Sequence, residues 1–264
     1  MTKFIVASLL LTLADGPAFA QLRCVESKAA IEIHRGDKLV LRYNKAPTDE
    51  AAKNEPVYTR TGYIHPLCSP AGKVITGDFA PDHPHQHGLF FAWTKTTFGG
   101  RKPEFWNQKL ESGRVSYVKT LAVVSQPDES GFDVEHLFED ISLKGRAAPV
   151  LRETWRVRVK VVDGRYHLDL TSQQRCATAS PLTIEQYHYG GMAIRGSGEW
   201  MGTEDTLMLT SGGHGRIAGN HTRPEWVRMA GKVDGAPCGV VAFCHPGNFR
   251  APQWVRTHPA KPYF

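Results

Sequence analysis

The chain has 264 residues, with 32 Lys and Arg against 26 Asp and Glu for a formal net charge of +6, and it is 41% hydrophobic. That much apolar material builds a core and excludes a disordered chain. The basic residues are scattered without a run, so the charge speaks for solubility rather than for a nucleic-acid partner.

Lys3 precedes an apolar run from Ile5 to Ala14, and Ala18-Phe19-Ala20 closes the segment. This reads as a secretory leader over residues 1–20, cut after Ala20 and too short to span a bilayer. The expectation is an exported protein, periplasmic or extracellular, with residues 21–264 as one domain and no membrane span. The five cysteines, Cys24, Cys68, Cys176, Cys238 and Cys244, leave at least one free thiol or an intermolecular bond.

Ala30 to His34 and Lys38 to Arg42 flank Arg35-Gly36-Asp37 and read as a hairpin. Glu104 to Gly113 has a helical look, and Val115 to Val124 and Phe132 to Phe138 read as strands. Leu151 to Val162 is the clearest strand: Trp155, Val157, Val159 and Val161 fall on one face, Arg152, Arg156, Arg158 and Lys160 on the other. That basic face reads as a solvated outer sheet surface rather than an anion-binding groove. Asp163-Gly164 supplies a two-residue turn before Arg165 to Leu170. Leu182 to Ile194, Thr206 to Thr210 and Pro237 to Phe243 complete the strands. Many short strands and few helices predict an all-β fold, a large antiparallel β-sandwich of supersandwich or jelly-roll type.

Three segments carry chemistry. In Asp82-His83-Pro84-His85-Gln86-His87, three histidines share strand parity and project to one side. They suit an acid, a base and an orienting group, or a Zn, Cu or Fe site. Pro84 removes a backbone donor and places the segment in a loop or edge strand. In Gln186-Tyr187-His188-Tyr189-Gly190-Gly191, parity puts Gln186 and His188 on one side with Tyr187 and Tyr189 on the other, a set suited to sugar hydroxyls and ring faces. In His245-Pro246-Gly247-Asn248-Phe249-Arg250, a punctuated loop follows an apolar strand, and Arg250 could clamp a carboxylate. His65 either joins the site or caps a turn, and Trp93, Trp106 and Trp254 are read as core or wall.

Tyr63-Ile64-His65-Pro66-Leu67-Cys68-Ser69-Pro70, the run Asp82 to Trp93, and His245-Pro246-x-Asn248-x-Arg250 together resemble the PmoA-like domain family, known as "methane oxygenase PmoA". The resemblance covers roughly residues 25–264 and rests on the pattern D-H-x-H-H-R-G-L-F-F-A-W. Gln86 and His87 depart from it, standing where the pattern has His and Arg. A methane monooxygenase subunit spans the membrane several times, so the family name does not give the function. The resemblance instead implies an exported bacterial protein from a polysaccharide-degrading setting. Gln186 to Tyr189 is also similar to the His-bearing strand of galactose-mutarotase-like sandwiches.

The expected function is a carbohydrate-active enzyme that isomerises, eliminates or hydrolyses at a sugar or uronic-acid derivative by histidine acid–base chemistry. His83, His85 and His188 are the expected catalytic residues. His65, Gln86, His87, Trp93, Gln186, Tyr189, Arg195, His245, Asn248, Arg250 and Trp254 are expected to bind a sugar or oligosaccharide. This reading requires no cofactor. One alternative is a Zn or Cu enzyme with His83, His85 and His188 or His245 as ligands. Another is a non-catalytic sugar-binding protein that relies on Trp93 and Trp254.

Overall fold

The computed structural model describes residues 21–143, 145–202 and 204–264, and the leader expected over residues 1–20 lies outside them. In chain order the strands are β1 Leu22–Glu26, β2 Ala30–Arg35, β3 Lys38–Asn44, β4 Tyr63–Leu67, β5 Asp78–Ala80, β6 His83–His87, β7 Leu89–Ala92 and β8 Thr96–Thr97. There follow β9 Gly113–Ser125, β10 Glu129–Asp140, β11 Ala148–Val162, β12 Arg165–Cys176, β13 Thr183–Ile184, β14 Gly191–Ile194, β15 Thr206–Thr210, β16 Trp226–Val233 and β17 Ala236–Phe243. Among the described residues there is no α-helix, only single 3-10 turns.

A six-stranded sheet in the order β1-β2-β3-β4-β7-β14 faces a four-stranded sheet in the order β12-β11-β10-β9. Ile31, Ile33, Leu41, Tyr43 and Ile64 of the first meet Phe132, Val134, Trp155, Val157 and Val159 of the second in one buried cluster. This is the antiparallel β-sandwich expected from period-2 alternation. A three-stranded sheet β15-β16-β17 adds Met208, Met229 and Val233 to the same core.

Asp163 and Gly164 both have positive φ, 49° and 74°, and Val162 faces Arg165 across them. A turn with two positive φ values matches the right-handed twist of long strands, which is why Asp-Gly sits there. The basic outer face of β11 is neutralised by its neighbour β10. Arg152 meets Glu135 at 2.6 Å, Arg158 meets Asp133 at 2.7 Å and Lys160 meets Glu129 at 2.9 Å. It is a cross-strand ion-pair ladder, not an anion groove.

Two sequence expectations need correction. Glu104 to Gly113 holds only a 3-10 turn at Gln108–Leu110. The Glu104 carboxylate takes the backbone N–H groups of Trp106 and Asn107, which removes them from any helix ladder. Leu182 to Ile194 is not one strand: only β13 and β14 pair, and an irregular loop joins them. The strand β16 was not foreseen, and it carries Gly231 in its middle. A Cβ at that glycine would lie 2.6 Å from the Trp200 ring nitrogen, so its smallness admits the indole. All five cysteines are free thiols.

Candidate functional site

The histidine segment forms β6 and pairs only with β5, an edge ribbon that tolerates Pro84. Phe79 at φ 47° bulges β5, so Asp78 faces His87 and Ala80 faces His83. The ribbon ends at Gly88, whose φ is 51° and whose missing Cβ would run into the Ile64 carbonyl oxygen. Gly88 N–H donates to the Gly77 carbonyl, and its own carbonyl accepts from Arg195 N–H at 2.7 Å. Residue 195 is thereby fixed beside the histidines.

The last residues of the chain complete the site. Arg195 bridges to Tyr263, and Gly196 N–H donates to the Pro262 carbonyl at 2.7 Å. Arg216 clamps the same segment by donating to the carbonyls of His258 and Lys261 at 2.9 and 2.7 Å. His258 and Tyr263 are thus carried to His83, with ring centroids 6.1 and 5.7 Å away. The His85 ring lies 5.4 Å from that of His83.

Asp82 organises the charges. It accepts from Arg195 at 2.8 Å and from His83 Nδ1 at 3.0 Å, and it lies 3.4 Å from Lys261. Burial pushes the Asp82 carboxyl up, but the bonds from His83 and Arg195 outweigh it and hold the carboxyl well below the usual range. An ionised Asp82 only accepts, so His83 donates its Nδ1–H to it. Burial, then the charges of His83, His87 and Arg195, lower the pKa of His85 to about 4. Burial, then Arg256, His83, Lys261 and Arg216, do the same to His258, also to about 4. Both imidazoles are neutral at neutral pH. Burial raises Tyr263, which keeps its hydroxyl proton.

The other expected residues are distributed unevenly. Gln86 is buried and accepts from Arg195 at 2.9 Å, so it braces the guanidinium rather than a substrate. Arg195 itself is 1% exposed: its two terminal nitrogens are committed to Asp82, Gln86 and the Met201 sulfur, and its Nε is buried without a partner, out of reach of a ligand. His87 is fully buried: it bonds Asp78 at 2.7 Å, accepts from Gln108 at 3.1 Å, and is closed off from substrate. Tyr63 shares Asp78 with it at 2.9 Å. His65 is half-buried against the Thr76 hydroxyl at 3.0 Å, and burial lowers its pKa. Trp93 is half-buried and donates to Gln174 at 2.8 Å, a wall position.

His188 and Gln186 sit on the exposed loop between β13 and β14. The rings of Tyr187, His188 and Tyr189 pack on one another at 4.1 to 4.9 Å, so the expected two-sided strand parity is overturned. Burial, then Arg256 and His221, lower the pKa of His188. His245, Asn248 and Arg250 are exposed, and their recorded side-chain contacts are local, with Arg250 over the Phe249 ring. Trp254 is 71% exposed beside Arg223 and is neither core nor wall. Among the described residues no three His, Cys, Asp or Glu side chains are placed to hold a metal ion. The Zn or Cu set of His83, His85 and His188 or His245 therefore does not fit.

Sequence reasoning missed His258, Lys261, Tyr263 and Arg256. Their one signal was composition, a terminal Arg256-Thr257-His258-Pro259-Ala260-Lys261-Pro262-Tyr263 dense in polar and aromatic side chains.

No helix among the described residues is long and apolar enough to cross a membrane. No curated protein and no solved structure matches the chain. Residues 30–264 match a family of unknown function (DUF6807), and the chain belongs to that family.

Proposed function

We propose that the protein is an exported, carbohydrate-active enzyme of the PmoA-like type that works by histidine acid–base chemistry on a sugar or sugar acid. The observation that carries this reading is the Asp82–His83 pair, joined at 3.0 Å, beside two neutral imidazoles. A carboxylate on Nδ1 fixes the tautomer and stabilises the imidazolium formed when Nε2 takes a proton. His83 is then the base that removes a proton from a sugar carbon or hydroxyl. Tyr263 and Lys261 are the donors near enough to protonate an oxygen across the cluster. His85, held neutral, hydrogen-bonds and orients the sugar. Asp82 is a positioning residue, acting through His83. The half-buried, solvent-reached faces of His83 and His85 give a ligand access.

The test is solvent-isotope exchange. The protein is incubated in D2O with a panel of neutral, oxidised and unsaturated sugars, and deuterium entering a sugar C–H position is followed by NMR beside product formation. Exchange or turnover in the parent, lost in His83→Gln and His85→Ala while circular dichroism shows an unchanged fold, is the expected result. Activity unchanged in both variants sinks the assignment.

A further inference from the structure

The charges around the histidines do not balance. Four cations surround them: Arg195 and Lys261 on Asp82, Arg216 on the carbonyls of the terminal segment, and Arg256. Among the described residues Asp82 is the one Asp or Glu side chain paired with this group, and it already serves Arg195, Lys261 and His83. Arg256 has no carboxylate within ion-pair distance among the described residues. It is half-buried, its Nε is buried without a hydrogen-bond partner, and it meets the Tyr263 hydroxyl. Its bond to the Tyr263 hydroxyl places it beside the ring that lies 5.7 Å from that of His83, and its charge bears on His258 and His188 alike.

A buried Nε–H without a partner is an unmet donor that costs free energy, and the neutral imidazoles beside it contribute no negative charge. An anion delivered by a ligand removes that cost, and a planar carboxylate matches the guanidinium fork in a bidentate geometry. The two arginines that the sequence offered for this task are unsuited to it. Arg195 is consumed by Asp82 and Gln86, and Arg250 is on an exposed loop over Phe249.

We infer that the site takes a sugar carboxylate, and that Arg256 is the residue that holds the carboxylate and sets the preference for acidic over neutral sugars. Lys261, 3.4 Å from Asp82 and 32% exposed, adds charge at the same mouth. The inference rests on the histidine cluster being a ligand site, as in the function proposed above, but not on its being catalytic.

The experiment measures binding rather than turnover. Thermal shift and calorimetric titration of the full protein are run with D-glucuronate, D-galacturonate, D-glucose, D-galactose and inorganic sulfate. The parent, Arg256→Gln, Arg256→Lys and the surface control Arg250→Gln are compared, with circular dichroism of each. The expected result is binding of a uronate but not of its neutral counterpart. Affinity falls by about tenfold or more in Arg256→Gln, as for loss of a charge-assisted bond, is intermediate in Arg256→Lys, and is unchanged in Arg250→Gln. Equal response to neutral and acidic sugars, uronate binding that survives Arg256→Gln, or a sulfate response equal to that of the uronates each overturns it. Uronate binding without isotope exchange leaves this inference standing and removes the catalytic one; exchange into neutral sugars alone does the reverse.

Discussion

The Arg195 guanidinium lies 2.8 Å from the Asp82 carboxylate, and the same carboxylate holds His83 Nδ1 at 3.0 Å. One acid therefore neutralises a buried cation and aims a candidate base. Asp82→Asn separates the two effects. Arg195 is left buried without a counter-charge, and stability falls by about 2–3 kcal/mol in urea denaturation, below the range for a fully buried pair because Asp82 keeps some solvent. The amide can also donate toward His83, which spoils the tautomer, so turnover falls by more than substrate affinity does. Full stability with full turnover would refute both halves.

Gly88 is the hinge between the histidine ribbon and the main sheet. Its φ of 51° is left-handed, and a methyl group there would press into the Ile64 carbonyl oxygen and the His65 side chain. Backbone on one side and the His65 Cβ on the other leave little room to relax. Gly88→Ala is expected to cost at least about 2 kcal/mol and to lower the melting temperature by several degrees. A substitution without effect on melting would show that the ribbon can shift to make room.

The long strands were legible because their signal is local. β11 alternates Trp155, Val157 and Val159 with basic residues and ends in Asp163-Gly164, and both features act within a few residues. The ribbon was legible as a candidate site because three histidines in five residues are unusual, although His87 turns out to be buried on Asp78. The loop around His188 misled for the opposite reason: its apolar and aromatic residues imitate a strand, but Tyr189 packs on Trp106 and not on a ladder partner. The terminal segment was illegible because His258, Lys261 and Tyr263 become site residues only through pairing with Arg195 and Gly196, far away in sequence.

Acid should loosen the fold before the carboxylates are protonated. Unfolded histidines take up protons near pH 6.5, whereas folded His85 and His258 wait until about pH 4. Across that interval the unfolded chain binds more protons, so stability declines as pH falls from about 6.5 to about 4 and is complete above it. The groups facing His85 are His83, His87, Arg195 and Asp82; those facing His258 are Arg256, His83, Lys261 and Arg216. Denaturant midpoints measured from pH 7 to pH 4.5 should fall, and should fall less steeply in the double variant His85→Asn, His258→Asn. A flat profile in the parent would contradict the pKa directions.

A second histidine holds the two main sheets together and is open to the same kind of test. Tyr43 on β3 contacts His136 on β10 at 2.6 Å, and His136 Nδ1 meets Glu153 on β11 at 2.8 Å. Glu153 also accepts from Ser172 and Gln174 on β12, at 2.5 and 2.9 Å. Tyr43, His136 and Glu153 are all fully buried. Burial raises the Glu153 carboxyl, but the bond and charge of His136 outweigh it and keep the carboxyl ionised. Removing one partner leaves polar atoms stranded between the sheets, so Glu153→Leu should cost about 3–5 kcal/mol. The double variant His136→Leu, Glu153→Leu removes both polar groups and should recover part of that loss, since an apolar pair of similar size has nothing to desolvate. A double-mutant cycle in urea reads the coupling directly. If the two losses simply add, His136 and Glu153 are uncoupled, and the polar link from Tyr43 across the sheets ends at His136 instead of running on to Glu153.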